Sequence, residues 1–144
     1  MQSIIANPSD GTRLRVVGDL VRVLASSDQT GGSYEIFELE GPEGSGPPPH
    51  AHPWSEAYVV TEGEADVFIE GQKLSAAPGC FIHIPAGTTH GYRIRSKSAK
   101  FVVITSPAGA TDFFTEIDAE TGGSCEDMEK IMAVATKHGF TVPA

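Results

Sequence analysis

Between Gly44 and Gly63 the chain reads GSGPPPHAHPWSEAYVVTEG, with His50 and His52 one residue apart and Glu56 four residues further on. Side chains alternate across an extended backbone, so these three even-numbered positions project from one face if the segment stays extended. Two imidazoles and a carboxylate suit a borderline divalent ion such as zinc, iron, nickel, copper, manganese or cobalt. Calcium and magnesium would want more oxygen. Pro47, Pro48 and Pro49 lock φ just before His50 and restrict the conformations of the loop, which preorganises the ligands. One divalent transition metal per chain is therefore expected, with its identity open.

A second cluster follows in GCFIHIPAGTTHGYRI, where Pro85, Ala86 and Gly87 form a turn and His90 opens the next strand as the natural further ligand. Tyr92 and Ile94 share the face of His90 by the same alternation. His83 lies two residues before Pro85 and shares a face with Phe81. It is either a packed histidine on an apolar strand or an additional ligand or close neighbour of the ion. In the second case four neutral imidazoles surround the ion and Glu56 is freed to act as a base or to sit beside the ligands. Trp54, Tyr58 and Tyr92 are candidates to line a substrate pocket, Trp54 as a flat wall on which a planar substrate could stack. Phe68 and Phe81 read as barrel core. His138 complements a helix C-terminus and is left out of the site.

The elements that must position these groups are short apolar runs separated by glycine: TRLRVVG, LVRVLAS, SYEIFELEG, EAYVVTEG, ADVFIEG, CFIHIPAG, HGYRIRS and KFVVITSP. Their length, their Val, Ile, Phe and Tyr content and their turn signals predict an all-β sandwich or barrel. TEGEA around Gly63 and EGQK around Gly71 read as tight hairpins, since glycine supplies the positive φ such turns demand. Everything before the tail reads as β. The exception spans about 124–138, where Ser124 caps a helix with Met128, Ile131, Met132 and Ala135 as its apolar stripe and Gly139 as its stop.

With 144 residues, 40% hydrophobic and 20% charged, a single domain spanning 1–144 is expected, large enough to fold without staples. A formal net charge of -9 repels phosphate backbones and anionic membranes, so neither nucleic acid nor membrane is an expected partner. Cys80 and Cys125 fit no metal or redox spacing and read as free thiols. No stretch resembles a signal peptide or reaches the roughly 18 apolar residues of a membrane span, which makes the expected location cytoplasmic.

Both clusters resemble the cupin superfamily. Its first motif, Gly, five residues, His-x-His, three residues, Glu, six residues, Gly, is met at Gly44, His50, His52, Glu56 and Gly63. Its second, Gly, five residues, Pro-x-Gly, two residues, His, three residues, Asn, is met at Gly79, Pro85, Gly87 and His90, with Ile94 in place of Asn. The resemblance implies an antiparallel β-barrel, or jelly roll, with a C-terminal helix, its motifs at 44–63 and 79–94, and a metal in its mouth held by His50, His52, Glu56 and His90. It also implies a homodimer, and the apolar content of Leu14 to Leu24 looks excessive for an exposed edge.

Cupins include dioxygenases, isomerases, decarboxylases, cyclases and binders, so the fold does not set the reaction. The stretch from His50 to Glu56, His-x-His-Pro-aromatic-Ser-Glu, is similar to the metal motif of small cupin cyclases of bacterial aromatic polyketide pathways, which make antibiotics. That likeness implies Lewis-acid-assisted aldol closure or dehydration of a largely apolar carbonyl or phenolic substrate, with Glu56, a water or His83 moving the proton and zinc the favoured ion. The alternatives are a quercetinase-like dioxygenase, using iron, copper, nickel or manganese, and a small-molecule-binding module without turnover.

Overall fold

Alternation turns one face of each early strand inward. The computed structural model describes residues 2–143, and β1 (Arg13–Val16) buries Leu14 and Val16 while β2 (Asp19–Ala25) buries Asp19, Val21 and Ala25. A one-turn helix, α1 (Ser27–Thr30), follows, and β3 (Glu35–Pro42) then buries every second residue. The chain continues through β4 (Ser55–Glu62), β5 (Ala65–Ile69), β6 (Gln72–Ala76), β7 (Phe81–Ile84), β8 (His90–Ile94) and β9 (Ser98–Ser106). It ends in two helices, α2 (Ala110–Thr121) and α3 (Met128–Lys137).

The strands form two antiparallel sheets, one of six strands in the order β1-β2-β3-β9-β4-β7 and one of three in the order β6-β5-β8. Phe37, Val60, Val67, Ile84, Ile94, Phe101 and Val103 fill the space between them. Burial of such side chains contributes roughly 1.5–3 kcal/mol each, so the barrel is held by its apolar interior. No helix among the described residues is long and apolar enough to cross a membrane.

Several expectations change. β4 pairs with β7 and β9 whereas β5 pairs with β6 and β8, so Gly63 turns a corner between sheets and does not close a hairpin. Gly71 does close one, between β5 and β6, with positive φ at Glu70 and Gly71. The tail helix begins at Met128, not near Ser124, because the Asp127 side chain accepts from the Lys130 amide at 3.0 Å and caps it. Its buried face is Ile131, Val134 and Ala135; Met128 and Met132 are exposed. The region before it is helical too: α2 buries Phe113 and Ile117 and packs against β1. This covers the apolar side of the β1–β2 hairpin within the chain, and the Gly18 amide donates to Gly123 O at 3.0 Å.

Glu35 explains how α2 starts. Fully buried at the head of β3, its carboxylate accepts from the amides of Gly109 (2.8 Å), Ala110 (2.9 Å) and Thr111 (3.2 Å), and from the hydroxyls of Thr105 and Thr111. A buried anion thus satisfies the orphan donors of a helix N-terminus.

Candidate metal centre

The site lies where the proline run meets β8. His50 and His90 face each other across an isolated bridge, the His50 amide donating to His90 O at 2.9 Å and the His90 amide to His50 O at 2.8 Å. Gly46 and Gly91 allow that approach, since a Cβ at Gly46 would overlap the Tyr92 carbonyl and one at Gly91 would stand 2.8 Å from Pro47 O. Glu56, on β4, points inward with Tyr58 and Val60.

Each imidazole is oriented by a backbone carbonyl two residues away. Nδ1 of His50 contacts Pro48 O at 2.8 Å, that of His52 contacts Trp54 O at 2.9 Å, and that of His90 contacts Thr88 O at 2.8 Å. A carbonyl only accepts, so each Nδ1 carries a proton, and in the neutral ring Nε2 is left with its lone pair. Ring nitrogens of the three histidines lie within 4.8 Å of one another. The Glu56 carboxylate joins them, Oε1 at 2.8 Å from His90 Nε2 and Oε2 at 3.4 Å from His52 Nε2. With neutral rings these acceptors converge on one point, and the donor set fits a divalent transition ion held by His50, His52 and His90, with Glu56 as fourth ligand or neighbour.

In the metal-free cluster the Glu56 carboxylate and the His90 ring stabilise each other's charge, while His50 stays neutral. Burial pushes Glu56 up, but hydrogen bonds and charge from His52 and His90 outweigh it and hold the carboxyl well below its usual range. Burial lowers His50 to about 4, which keeps it a neutral donor at physiological pH. For His90 burial works downward, yet Glu56 and the Thr88 carbonyl win and raise it.

Aromatic rings enclose the cluster. Trp54 stacks on His52 with centroids 4.5 Å apart at 14°, and Phe140 covers His50 at 5.5 Å and 25°. Inside the barrel the Tyr58 hydroxyl donates to Glu56 Oε1, and its ring meets Tyr92 edge to face at 6.1 Å. Tyr92 turns its hydroxyl away, to Asp19 at 2.9 Å. Trp54, Tyr58 and Tyr92 are thus in the barrel, Trp54 at the mouth and the tyrosines below the carboxylate.

His83 is not part of this cluster. β7 turns Ile82 and Ile84 inward, so His83 and Phe81 face outward, with His83 opposite Ala57 and Phe81 63% exposed. The expectations of His83 as ligand or catalytic group, and of Phe81 as core, are corrected by that parity. Phe68 is half-buried. Phe140 was not expected at the site: it follows a helix and carries no ligand signal, and only its apolar type after Gly139 marks it.

A cupin domain matches residues 37–105, which include every residue of the cluster except Phe140. The chain is 32% identical over 111 residues to quercetin 2,3-dioxygenase of Bacillus subtilis (strain 168), over 76% of this chain and 33% of that protein. It therefore spans about a third of the length of that relative. Among solved structures it is similar to KdgF from Halomonas sp., with TM-score 0.66 and 21% identity over 74% of this chain and 94% of the other. It is also similar to the polyketide cyclase RemF from Streptomyces resistomycificus, with TM-score 0.63 and 22% identity over 74% and 80%. The two-sheet barrel, both histidine motifs and the domain match together identify residues 37–105 as a cupin domain.

Proposed function

We propose that the chain is a metal-dependent enzyme acting on a flat, enolisable phenol or ketone, with oxidation by dioxygen as the leading reaction. The observation that carries this reading is the convergence of three carbonyl-oriented Nε2 atoms and the Glu56 carboxylate at one buried point. A divalent ion held there supplies Lewis acidity and, if redox-active, electron exchange with dioxygen. Glu56 accepts the proton of the substrate hydroxyl, Tyr58 steadies the carboxylate from below, and Trp54, stacked on His52, is part of the aromatic wall of the site. Buried at 7% exposure, Glu56 works in a site from which bulk water is largely excluded.

The 32% identity to quercetin 2,3-dioxygenase supports the oxidative reading. A second reading, aldol closure of a polyketone, is supported by the His-x-His-Pro-aromatic-Ser-Glu run from His50 to Glu56 and uses the same base without redox change. The experiment is to load the protein separately with zinc and with manganese, iron, cobalt or nickel, then measure oxygen uptake with a flavonol and anaerobic conversion of a polyketone. Oxygen uptake confined to the redox metals supports the first reading; anaerobic turnover by the zinc form supports the second. Stoichiometric metal with turnover of neither leaves a binding module. Homodimer formation belongs to the same proposal, and sedimentation at micromolar concentration tests it.

A further inference from the structure

The imidazoles of a site that must admit substrate are almost sealed, at 9% exposure for His50, 5% for His52 and 1% for His90. The segment that seals them lies beyond the matched cupin domain, which ends at residue 105. After α3 the chain turns at Gly139, with φ +87°, and lays Phe140 over the mouth. The Phe140 ring stands 5.5 Å from His50, 5.4 Å from His52, 5.4 Å from Trp54 and 4.4 Å from Phe113. Thr141 then bridges to Ala51, between the two motif histidines, through a reciprocal pair of backbone hydrogen bonds of 2.9 Å each.

We propose that Phe140 and Thr141 form a strap that gates the imidazole cluster, with Phe140 setting the size and flatness of what can enter. This rests on the reading of the cluster as the reaction site. Three features suit a strap better than a fixed wall. It is fastened to the barrel by one isolated bridge and not by a continuous ladder, so releasing it breaks two hydrogen bonds and no strand. Gly139 supplies a hinge, since its backbone tolerates conformations on both sides of the φ map. Phe140 is only half-buried and lies on ligand rings, so a planar aromatic substrate that displaced it would regain similar contacts, stacked on His50 and edge to face with Trp54. A substrate too small or too polar to replace those contacts would leave the strap closed, which makes Phe140 a specificity-determining residue.

The test reads access without metal or turnover. Metal-free protein is treated with diethylpyrocarbonate, which modifies neutral imidazole, and each histidine is followed by mass spectrometry with exposed His83 as internal reference. Phe140→Ala, and separately Thr141→Pro, which removes the amide that bonds Ala51 O, should speed modification of His50 on the order of tenfold while His83 is unchanged. Wild-type rates for His50 in both variants overturn the gate. Hydrogen exchange on the unmodified chain needs no variant: the Ala51 amide should exchange much faster than the His90 amide, and exchange of Ala51 only by global unfolding overturns the proposal. Metal content is measured separately, so a cluster that binds no metal defeats the proposed function while the access measurements still decide the gate.

Discussion

Glu56 Oε1 stands 2.8 Å from His90 Nε2, and in the tautomer that the Thr88 carbonyl imposes on His90 both atoms are acceptors. Two lone pairs at that distance require a positive centre between them, either a proton on the imidazole or a metal ion. Glu56→Gln replaces the anion with an amide that can donate to a neutral His90. The variant should fold as well as the parent and lose metal affinity about ten- to a hundredfold, read by competition against a zinc indicator. Undiminished affinity would remove Glu56 from the coordination sphere and its surroundings.

Glu35→Ala tests the link between barrel and helices. The substitution strands three amides and two hydroxyls that now share one carboxylate in a fully buried place. A loss of about 3 kcal/mol or more is expected in urea denaturation, with Glu35→Gln retaining part of the difference. A loss below 1 kcal/mol would mean that α2 is held by Phe113 and Ile117 alone.

The same residue explains what could be read from the chain beforehand. The strands were legible because alternation writes the inner face directly into the order of residues, as in Glu56, Tyr58 and Val60 or His90, Tyr92 and Ile94. The cluster was legible because three of its members lie within seven consecutive residues, and the fourth follows a Pro-x-Gly turn. α2 was not. Its N-cap position is Gly109, without a side chain, and its cap arrives from Glu35, 74 residues earlier. A local window has no access to such a contact. The Gly63 corner was misread for a related reason, since a glycine turn specifies positive φ but not whether the flanking strands pair with each other.

His83 failed on parity alone. A four-residue strand that enters one position out of phase exchanges its faces, and the turn at Pro85 to Gly87 does not specify the phase. His83→Ser should therefore leave metal stoichiometry, metal affinity and turnover unchanged and shift stability by less than about 0.5 kcal/mol, as exposed substitutions usually do. A tenfold fall in affinity would place the side chain in the cavity and contradict the register of β4 with β7.

Asp19 gives a pH dependence that is separate from the metal. Its carboxyl is buried inside the barrel, where Oδ2 accepts from the Tyr92 hydroxyl at 2.9 Å. Burial raises its pKa, and the hydroxyls of Ser45 and Tyr92 offset only part of that effect. A carboxyl whose folded pKa lies above its unfolded value of 3.8 stabilises the fold fully below that value and loses the contribution as pH rises through the folded pKa. Asparagine keeps an acceptor for Tyr92 and does not titrate. Asp19→Asn should therefore be more stable than the parent at pH 7, with the gain shrinking as pH falls toward 3.8 and vanishing below it. Paired urea denaturations of the metal-free proteins across that range provide the measurement. A variant less stable than the parent at pH 7 would show that the ionised carboxylate is stabilised by a partner stronger than the Tyr92 hydroxyl.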